Sequence, residues 1–366
     1  MYQPDYERIA KKVVRSCSAV KEDETVTISS RADALSYAEL IALECGKAGA
    51  LPLTIAASDD YFYRVSKEVP IEYLEKTPLH TVKLIKASDL VISVGIERAN
   101  PRRFQDIPEE RMGAQRIGNK PLQDALFQTE GIRWVGTGYP TREQAEMYGV
   151  DFEEFFETYW RAMDVDYTDL RARVHRVAEL FEGARRVHIT SPKGTDLTLP
   201  IEGRPVDKDS GFIADSMGGK LLNLPAGEVC MAPLETRAQG TVVFDLAFPP
   251  YRGQRIEDLV VRFEGGKAIP VEAKVGFEAF TEILAHSHGD KDRIGELGIG
   301  LNDQVREAIG YVLTDEKIMG TVHIAIGENR MLGGVNDSDL HWDLLVMEPR
   351  VEVDSQLIMD GGTFLA

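Results

Sequence analysis

The first half of the chain alternates between helical and strand patterns of apolar residues. Helical spacing marks Tyr6 to Ser18 and Ala32 to Ala48, and apolar runs of strand length cover Glu24 to Ser29, Leu51 to Ala57 and Asp89 to Ile96. Strands that alternate with helices are typical of crossover units, which build a parallel sheet covered on both faces. The sequence therefore predicts an α/β N-terminal domain with a mostly parallel sheet.

The pattern changes after Gly183. Residues 152–181 predict one charged helix at the end of the first domain, with Leu170, Val174 and Val177 on its buried stripe. Short alternating segments separated by glycine and proline follow, and they favour an α+β, largely antiparallel domain. We therefore predict an α/β domain over residues 1–183 and a second domain over residues 184–366.

The charge of the chain limits its partners. The formal net charge of −18 over 366 residues repels a polyphosphate backbone, which argues against a nucleic-acid partner. Residues 1–10 are polar and charged, unlike a secretion signal, and no window approaches the roughly 18 apolar residues that span a bilayer. We predict a cytoplasmic protein that acts on a peptide or small molecule, with no membrane partner.

The last part of the chain places His323, His341 and Asp343 inside apolar runs. Strand side chains alternate between faces, so His341 and Asp343 should point to one side of a strand and Trp342 to the other. A buried carboxylate two residues from an imidazole is costly unless a cation compensates its charge. The pattern therefore indicates a metal site.

Two glutamates beside glycines, Glu228 and Glu296, extend this candidate site. Taken singly, His323 would be read as a core histidine and each glutamate as part of a surface turn, so only the joint pattern favours metal binding. Two glutamates, two histidines and one aspartate suit Zn²⁺, Co²⁺ or Mn²⁺. Because one tetrahedral ion needs fewer ligands, the surplus suggests two ions about 3.5 to 4 Å apart.

At these residues the chain resembles the thermophilic metalloaminopeptidases, the family of aminopeptidase T and aminopeptidase S. Gly227-Glu228-Val229 is similar to the first metal-binding glutamate of that family and Gly295-Glu296-Leu297-Gly298 to the second. His323 is similar to its first histidine and His341-Trp342-Asp343 to its closing pair. The resemblance implies a metal-binding catalytic domain over residues 184–366 and a homodimer.

The resemblance also implies an activity, the removal of N-terminal residues from peptides by a metal-activated water. Either Glu228 or Glu296 would carry the proton to the leaving amine. The family commonly places a tyrosine seven residues after the first histidine, where this chain has Arg330. An arginine cannot bind a metal, but it could stabilise developing negative charge or hold a substrate carboxylate, so we include Arg330 among the predicted catalytic residues.

Two alternatives remain open at this point. A 2,5-dihydroxypyridine dioxygenase resembles the chain around the last histidine, and a mononuclear Fe(II) site could be assembled from His323, His341 and Asp343. The second alternative is a metal-binding relative without peptidase activity, which the loss of the tyrosine favours.

Overall fold

The computed structural model describes residues 2–247 and 255–365. The chain forms two compact units: the first comprises Met1–Met147, Asp151–Asp164 and Gly211–Leu224, and the second comprises Tyr148–Val150, Val165–Ser210 and Pro225–Ala366. Segments of the two units therefore alternate along the chain. The domain boundary that the sequence places near residue 183 stays a prediction.

The described residues contain the following strands and helices. In chain order the strands are β1 (Thr25–Arg31), β2 (Leu51–Ala57), β3 (Leu90–Val94), β4 (Arg133–Thr137), β5 (Arg186–Thr190), β6 (Asp196–Pro200), β7 (Asp207–Asp209), β8 (Leu221–Leu224), β9 (Glu228–Met231), β10 (Gln239–Ala247), β11 (Ile256–Glu264), β12 (Lys267–Glu272), β13 (Ile294–Gly300), β14 (Val322–Gly327), β15 (His341–Val346), β16 (Arg350–Val353), β17 (Gln356–Asp360) and β18 (Thr363–Phe364). The α-helices are α1 (Tyr6–Lys12), α2 (Leu35–Lys47), α3 (Asp59–Glu68), α4 (Ile71–Leu74), α5 (Leu79–Lys86), α6 (Glu109–Phe127), α7 (Arg142–Tyr148), α8 (Phe152–Met163), α9 (Tyr167–Glu179), α10 (Phe277–His286) and α11 (Val312–Asp315).

The first unit is built on a parallel sheet with the strand order β2-β1-β3-β4-β8. Leu90, Val91 and Ile92 of β3 are successive buried residues, as expected for a strand with both faces covered. The predicted parallel sheet is confirmed. Its last strand, β8, comes from the second half of the chain and pairs with β4, which the sequence pattern did not indicate.

The predicted single helix over residues 152–181 is wrong, because the chain breaks into α8 and α9. The break follows from a capping residue in the middle of the charged segment. The Asp166 carboxylate accepts hydrogen bonds from the backbone N–H groups of Thr168 and Asp169, so it begins a new helix there. Helical periodicity continues across the break, which is why the pattern alone did not mark it.

The second unit is built on a large antiparallel sheet, which confirms the second part of the predicted fold class. Among the described residues its strand order is β18-β17-β16-β5-β6-β10-β15-β14-β13-β9-β7, with β11 and β12 extending from β10. All residues of β9, β13 and β14 are buried, so these strands lie in the core of the unit. Within the part of the chain that the structure describes, none of the helices has the length and apolar character needed to cross a membrane.

Candidate metal centre

The five predicted ligands lie on four neighbouring strands of the antiparallel sheet, in the order β15-β14-β13-β9. Glu228 begins β9, Glu296 lies on β13, His323 lies on β14, and His341 and Asp343 lie on β15. Glu228 lies opposite Gly300, and His323 lies opposite Gly298. Glu296 and Asp343 both lie opposite Ala325, and His341 lies opposite Gly327. Directly opposed residues share a face of the sheet, so all five side chains point to the same side.

Each of the five side chains lies opposite a glycine or an alanine on one neighbouring strand, and this leaves the space that the long side chains fill. Gly298 is the tightest case, because a Cβ atom there would lie 1.9 Å from Nε2 of His323. Glycine at position 298 thus permits the close approach of the His323 ring to β13.

Neighbouring ionisable atoms of the five side chains lie within 3.5 Å of one another. Oε2 of Glu228 lies 3.3 Å from Nε2 of His323, which lies 3.4 Å from Oε1 of Glu296. Oε2 of Glu296 lies 3.2 Å from Nε2 of His341, which lies 3.5 Å from Oδ1 of Asp343. The ligand atoms therefore form two groups that share Glu296, and within each group they lie within 4.8 Å of one another. We call Glu228, Glu296 and His323 the first triad, and Glu296, His341 and Asp343 the second triad.

Several buried atoms at this centre lack a hydrogen-bond partner among the described residues. Within residues 2–247 and 255–365, Oε2 of Glu228, Nδ1 of His323 and Oδ1 of Asp343 are buried without a hydrogen bond. A buried carboxylate oxygen with no partner costs free energy that a bound cation would offset. The donor set of carboxylate oxygens and imidazole nitrogens fits a divalent metal ion.

The electrostatics of the centre also favour added positive charge. Burial opposes a charge on His323, but the hydrogen bond to Glu296 and the carboxylate of Glu228 outweigh it and raise the pKa of His323 to about 9. Burial raises the pKa of Glu296, but the hydrogen bonds to His323 and His341 reverse the effect and hold it below its usual value. The carboxylates of the centre thus stabilise positive charge placed beside them.

The hydrogen bond of His341 engages Nδ1 and leaves Nε2 available to bind a metal ion. Its Nδ1 lies 2.7 Å from the carbonyl oxygen of Glu328, so Nδ1–H donates to that oxygen. The neutral ring then has its lone pair on Nε2, which faces Glu296 and Asp343. A backbone acceptor on the far nitrogen is the usual way in which proteins orient a metal-binding histidine.

Comparison with known proteins shows the family. The family model described as "Thermophilic metalloprotease (M29)" matches residues 2–364 of the chain. The chain belongs to this family. The resemblance to the thermophilic metalloaminopeptidases is thereby confirmed, and the prediction of a metal-dependent hydrolase with it.

A relative of known name and two solved structures are similar to the chain over nearly its whole length. Aminopeptidase T from Thermus aquaticus is 27% identical over 395 residues, which cover 97% of this chain and 95% of that protein. The solved structure of AmpT from Thermus thermophilus has a TM-score of 0.75 at 20% identity and covers 99% of both chains. The structure of 2,5-dihydroxypyridine dioxygenase from Pseudomonas putida has a TM-score of 0.66 at 16% identity, covering 99% of this chain and 97% of that one, and this likeness shows the fold alone.

Arg330 lies outside the two triads of this metalloprotease. Its side chain is 56% exposed, and its guanidinium binds the carboxylates of Glu328 at 2.8 Å and Asp337 at 3.0 Å. Arg330 is still linked to the centre, because the backbone carbonyl of the same Glu328 orients His341. A catalytic role for Arg330 stays a prediction.

Sequence reasoning missed three charged residues beside the first triad. Nζ of Lys317 lies 2.6 Å from Oε1 of Glu228, 3.0 Å from Asp209 and 2.9 Å from Glu316. In the sequence, Asp315, Glu316 and Lys317 are consecutive charged residues, which are typical of a solvated turn. Only the fold reveals that the side chain of Lys317 is 2% exposed.

Proposed function

We propose that this metalloprotease is an aminopeptidase that holds two divalent ions, one in each triad, with Glu296 shared between them. The observation that supports the proposal is the position of the Glu296 carboxylate. Its Oε1 lies beside His323 of the first triad and its Oε2 beside His341 of the second. A carboxylate that presents one oxygen to each of two ligand groups is suited to bridge a pair of ions.

Each residue has a distinct part in this proposal. Glu228 and His323 complete the first triad, and His341 and Asp343 complete the second. When bound, the ions would supply a water of lowered pKa and would polarise the scissile carbonyl. Either Glu228 or Glu296 would carry the proton to the leaving amine.

Zn²⁺, Co²⁺ and Mn²⁺ are the ions that we propose, because carboxylates and imidazoles bind all three. The proposed substrate is a peptide with a free N-terminal amine, as the names of the relatives suggest.

A homodimer and a cytoplasmic location belong to the same proposal and follow from the family resemblance and the sequence. Sedimentation equilibrium tests the dimer directly.

The experiment compares peptides that differ only at the N-terminus. Protein freed of metal and then loaded with Zn²⁺, Co²⁺ or Mn²⁺ is assayed on Leu-p-nitroanilide and on short peptides, each also supplied with an acetylated N-terminus. We expect hydrolysis of the free-amine substrates with at least one ion and no hydrolysis of the acetylated ones. An absence of turnover with every ion, or oxygen uptake with Fe²⁺ and a dihydroxypyridine, would reject the aminopeptidase.

Removal of metal should lower the stability of the protein. Ions that bind only the folded state stabilise it by about 2.7 kcal/mol for each site at an ion concentration 100 times Kd. We expect a lower melting temperature by calorimetry after EDTA treatment and recovery when Zn²⁺ is returned. The Glu296→Gln variant is the control, since its melting temperature should not respond to the ion. Equal melting of the EDTA-treated and reconstituted wild-type proteins would contradict binding at a buried site.

A further inference from the structure

A buried lysine adjoins the first triad without being a candidate ligand. Lys317 follows helix α11 in the chain, and its side chain is 2% exposed. A lysine is seldom fully buried unless its ammonium group is paired. Here the ammonium lies within 3.0 Å of three carboxylates, those of Glu228, Asp209 and Glu316.

The backbone around Lys317 is held against the strand that carries Glu296. The carbonyl oxygen of Lys317 accepts a hydrogen bond of 2.9 Å from the N–H of Asn302. A Cβ atom at Gly300 would lie 2.1 Å from the carbonyl oxygen of Ile318 and 2.9 Å from the carbonyl carbon of Lys317. Glycine at position 300 therefore permits the backbone of residues 317 and 318 to approach β13 closely, which fixes the position of the Lys317 backbone.

The two oxygens of Glu228 have different surroundings. Oε1 accepts a hydrogen bond of 2.6 Å from the ammonium group of Lys317. Oε2 lies 3.3 Å from His323 and has no hydrogen-bond partner among the described residues. The lysine thus occupies one oxygen and leaves the other directed into the first triad.

On the basis of the two-ion function proposed above, we infer that Lys317 is a positioning residue that holds Glu228 as a ligand through Oε2 alone. Occupation of Oε1 by the ammonium fixes the rotation of the carboxylate and prevents it from binding an ion through both oxygens. A strand neighbour supports the arrangement, because Asp209 on β7 lies directly opposite Glu228 on β9 and binds the same ammonium group. Lys317 touches neither the second triad's histidine nor its aspartate in the ion pairs that the structure gives it.

This role differs from that of a lysine that only stabilises the fold. A structural ion pair would affect the melting temperature and leave the two ion sites equally occupied. A positioning residue affects one site selectively, because only the first triad contains Glu228. Selective loss of one ion is therefore the informative result.

The experiment uses Lys317→Met, which keeps the length of the side chain and removes its charge. Metal-free wild type and variant are titrated with Zn²⁺ by calorimetry, and the Co²⁺ forms are compared by absorption spectroscopy. We expect the affinity of one ion to fall about 10- to 100-fold while the other binds as in the wild type. The absorption band of one Co²⁺ should change, and kcat should fall with little change in KM.

Two further variants make the result decisive. Arg31→Met is the matched control, since Arg31 is 5% exposed and pairs with Asp33 in the first compact unit. It should lose stability without any change in either ion affinity. If Lys317→Met fails to fold, the triple variant Asp209→Asn, Glu316→Gln, Lys317→Met also removes the charges of the two other carboxylates that lose their partner, and it should show the same loss of one ion.

The outcomes separate this inference from the function on which it depends. If the wild type binds two ions and cleaves peptides while the folded lysine variant binds both ions with wild-type affinity, Lys317 has no positioning role. If the wild type itself binds no ion, the proposed function fails first. Loss of one ion in the lysine variant, with both retained in Arg31→Met, supports the inference.

Discussion

Replacement of Glu296 by glutamine is expected to remove both ions and to lower kcat/KM for peptides by about 10³-fold or more. The reason is that Glu296 belongs to both triads and presents one oxygen to each. Glutamine has nearly the same shape, but its NH₂ group cannot bind a cation and its carbonyl oxygen carries no charge, so both positions lose a charged oxygen ligand. Metal content by mass spectrometry and initial rates on Leu-p-nitroanilide measure the two effects.

Variants that alter only one triad are compared with Glu296→Gln, which alters both. Glu228→Gln and Asp343→Asn each alter one triad only, and each should lose one ion and retain the other. Glu235→Gln is the control, because Glu235 is also a buried glutamate of the second unit but pairs with Arg204 instead. Retention of two ions by Glu296→Gln, or loss of two by Asp343→Asn, would contradict the shared position of Glu296.

Replacement of Gly298 by alanine is expected to destabilise the protein by about 3 kcal/mol or more and to impair the first triad. The added methyl group would lie 1.9 Å from Nε2 and 2.1 Å from Cε1 of His323. His323 is completely buried, so its ring can move aside only by disturbing the core. Urea denaturation measures the free energy of unfolding, and Zn²⁺ titration measures the effect on the ion.

Gly46→Ala is the matched control for that substitution. Gly46 lies in helix α2, and a Cβ atom there would meet nothing within 4 Å. Alanine in a helix is favoured over glycine by up to about 1 kcal/mol, so this variant should be as stable as the wild type or more so. If Gly298→Ala were equally stable and bound two ions, the close contact between β13 and His323 could not exist as described.

The sequence supported much of the fold and the choice of candidate residues. Periodic apolar residues gave the helix and strand types of the first half, since periodicity depends only on neighbours along the chain. The alternation of strand side chains placed His341 and Asp343 on one face, and the structure has both on one face of β15. The order of Glu228, Glu296, His323 and the closing pair led to the family, which the comparison confirms.

Other features had no local signal. The pairing of β8 with β4 and the burial of Lys317 each depend on where distant segments meet. The ion pairs of Arg330 with Glu328 and Asp337 differ from these, since they depend only on the path of one loop.

The sequence by itself determined which residue types were available for a metal centre and on which face of each strand they lie. The tertiary structure decided that Glu296 stands between the two triads and that a lysine occupies one oxygen of Glu228. The physical reason is that side-chain alternation is a property of a single strand, whereas the register between strands is set by packing of the whole sheet. A shift of β13 by one residue would turn Glu296 to the opposite face, with the same sequence and the same strands.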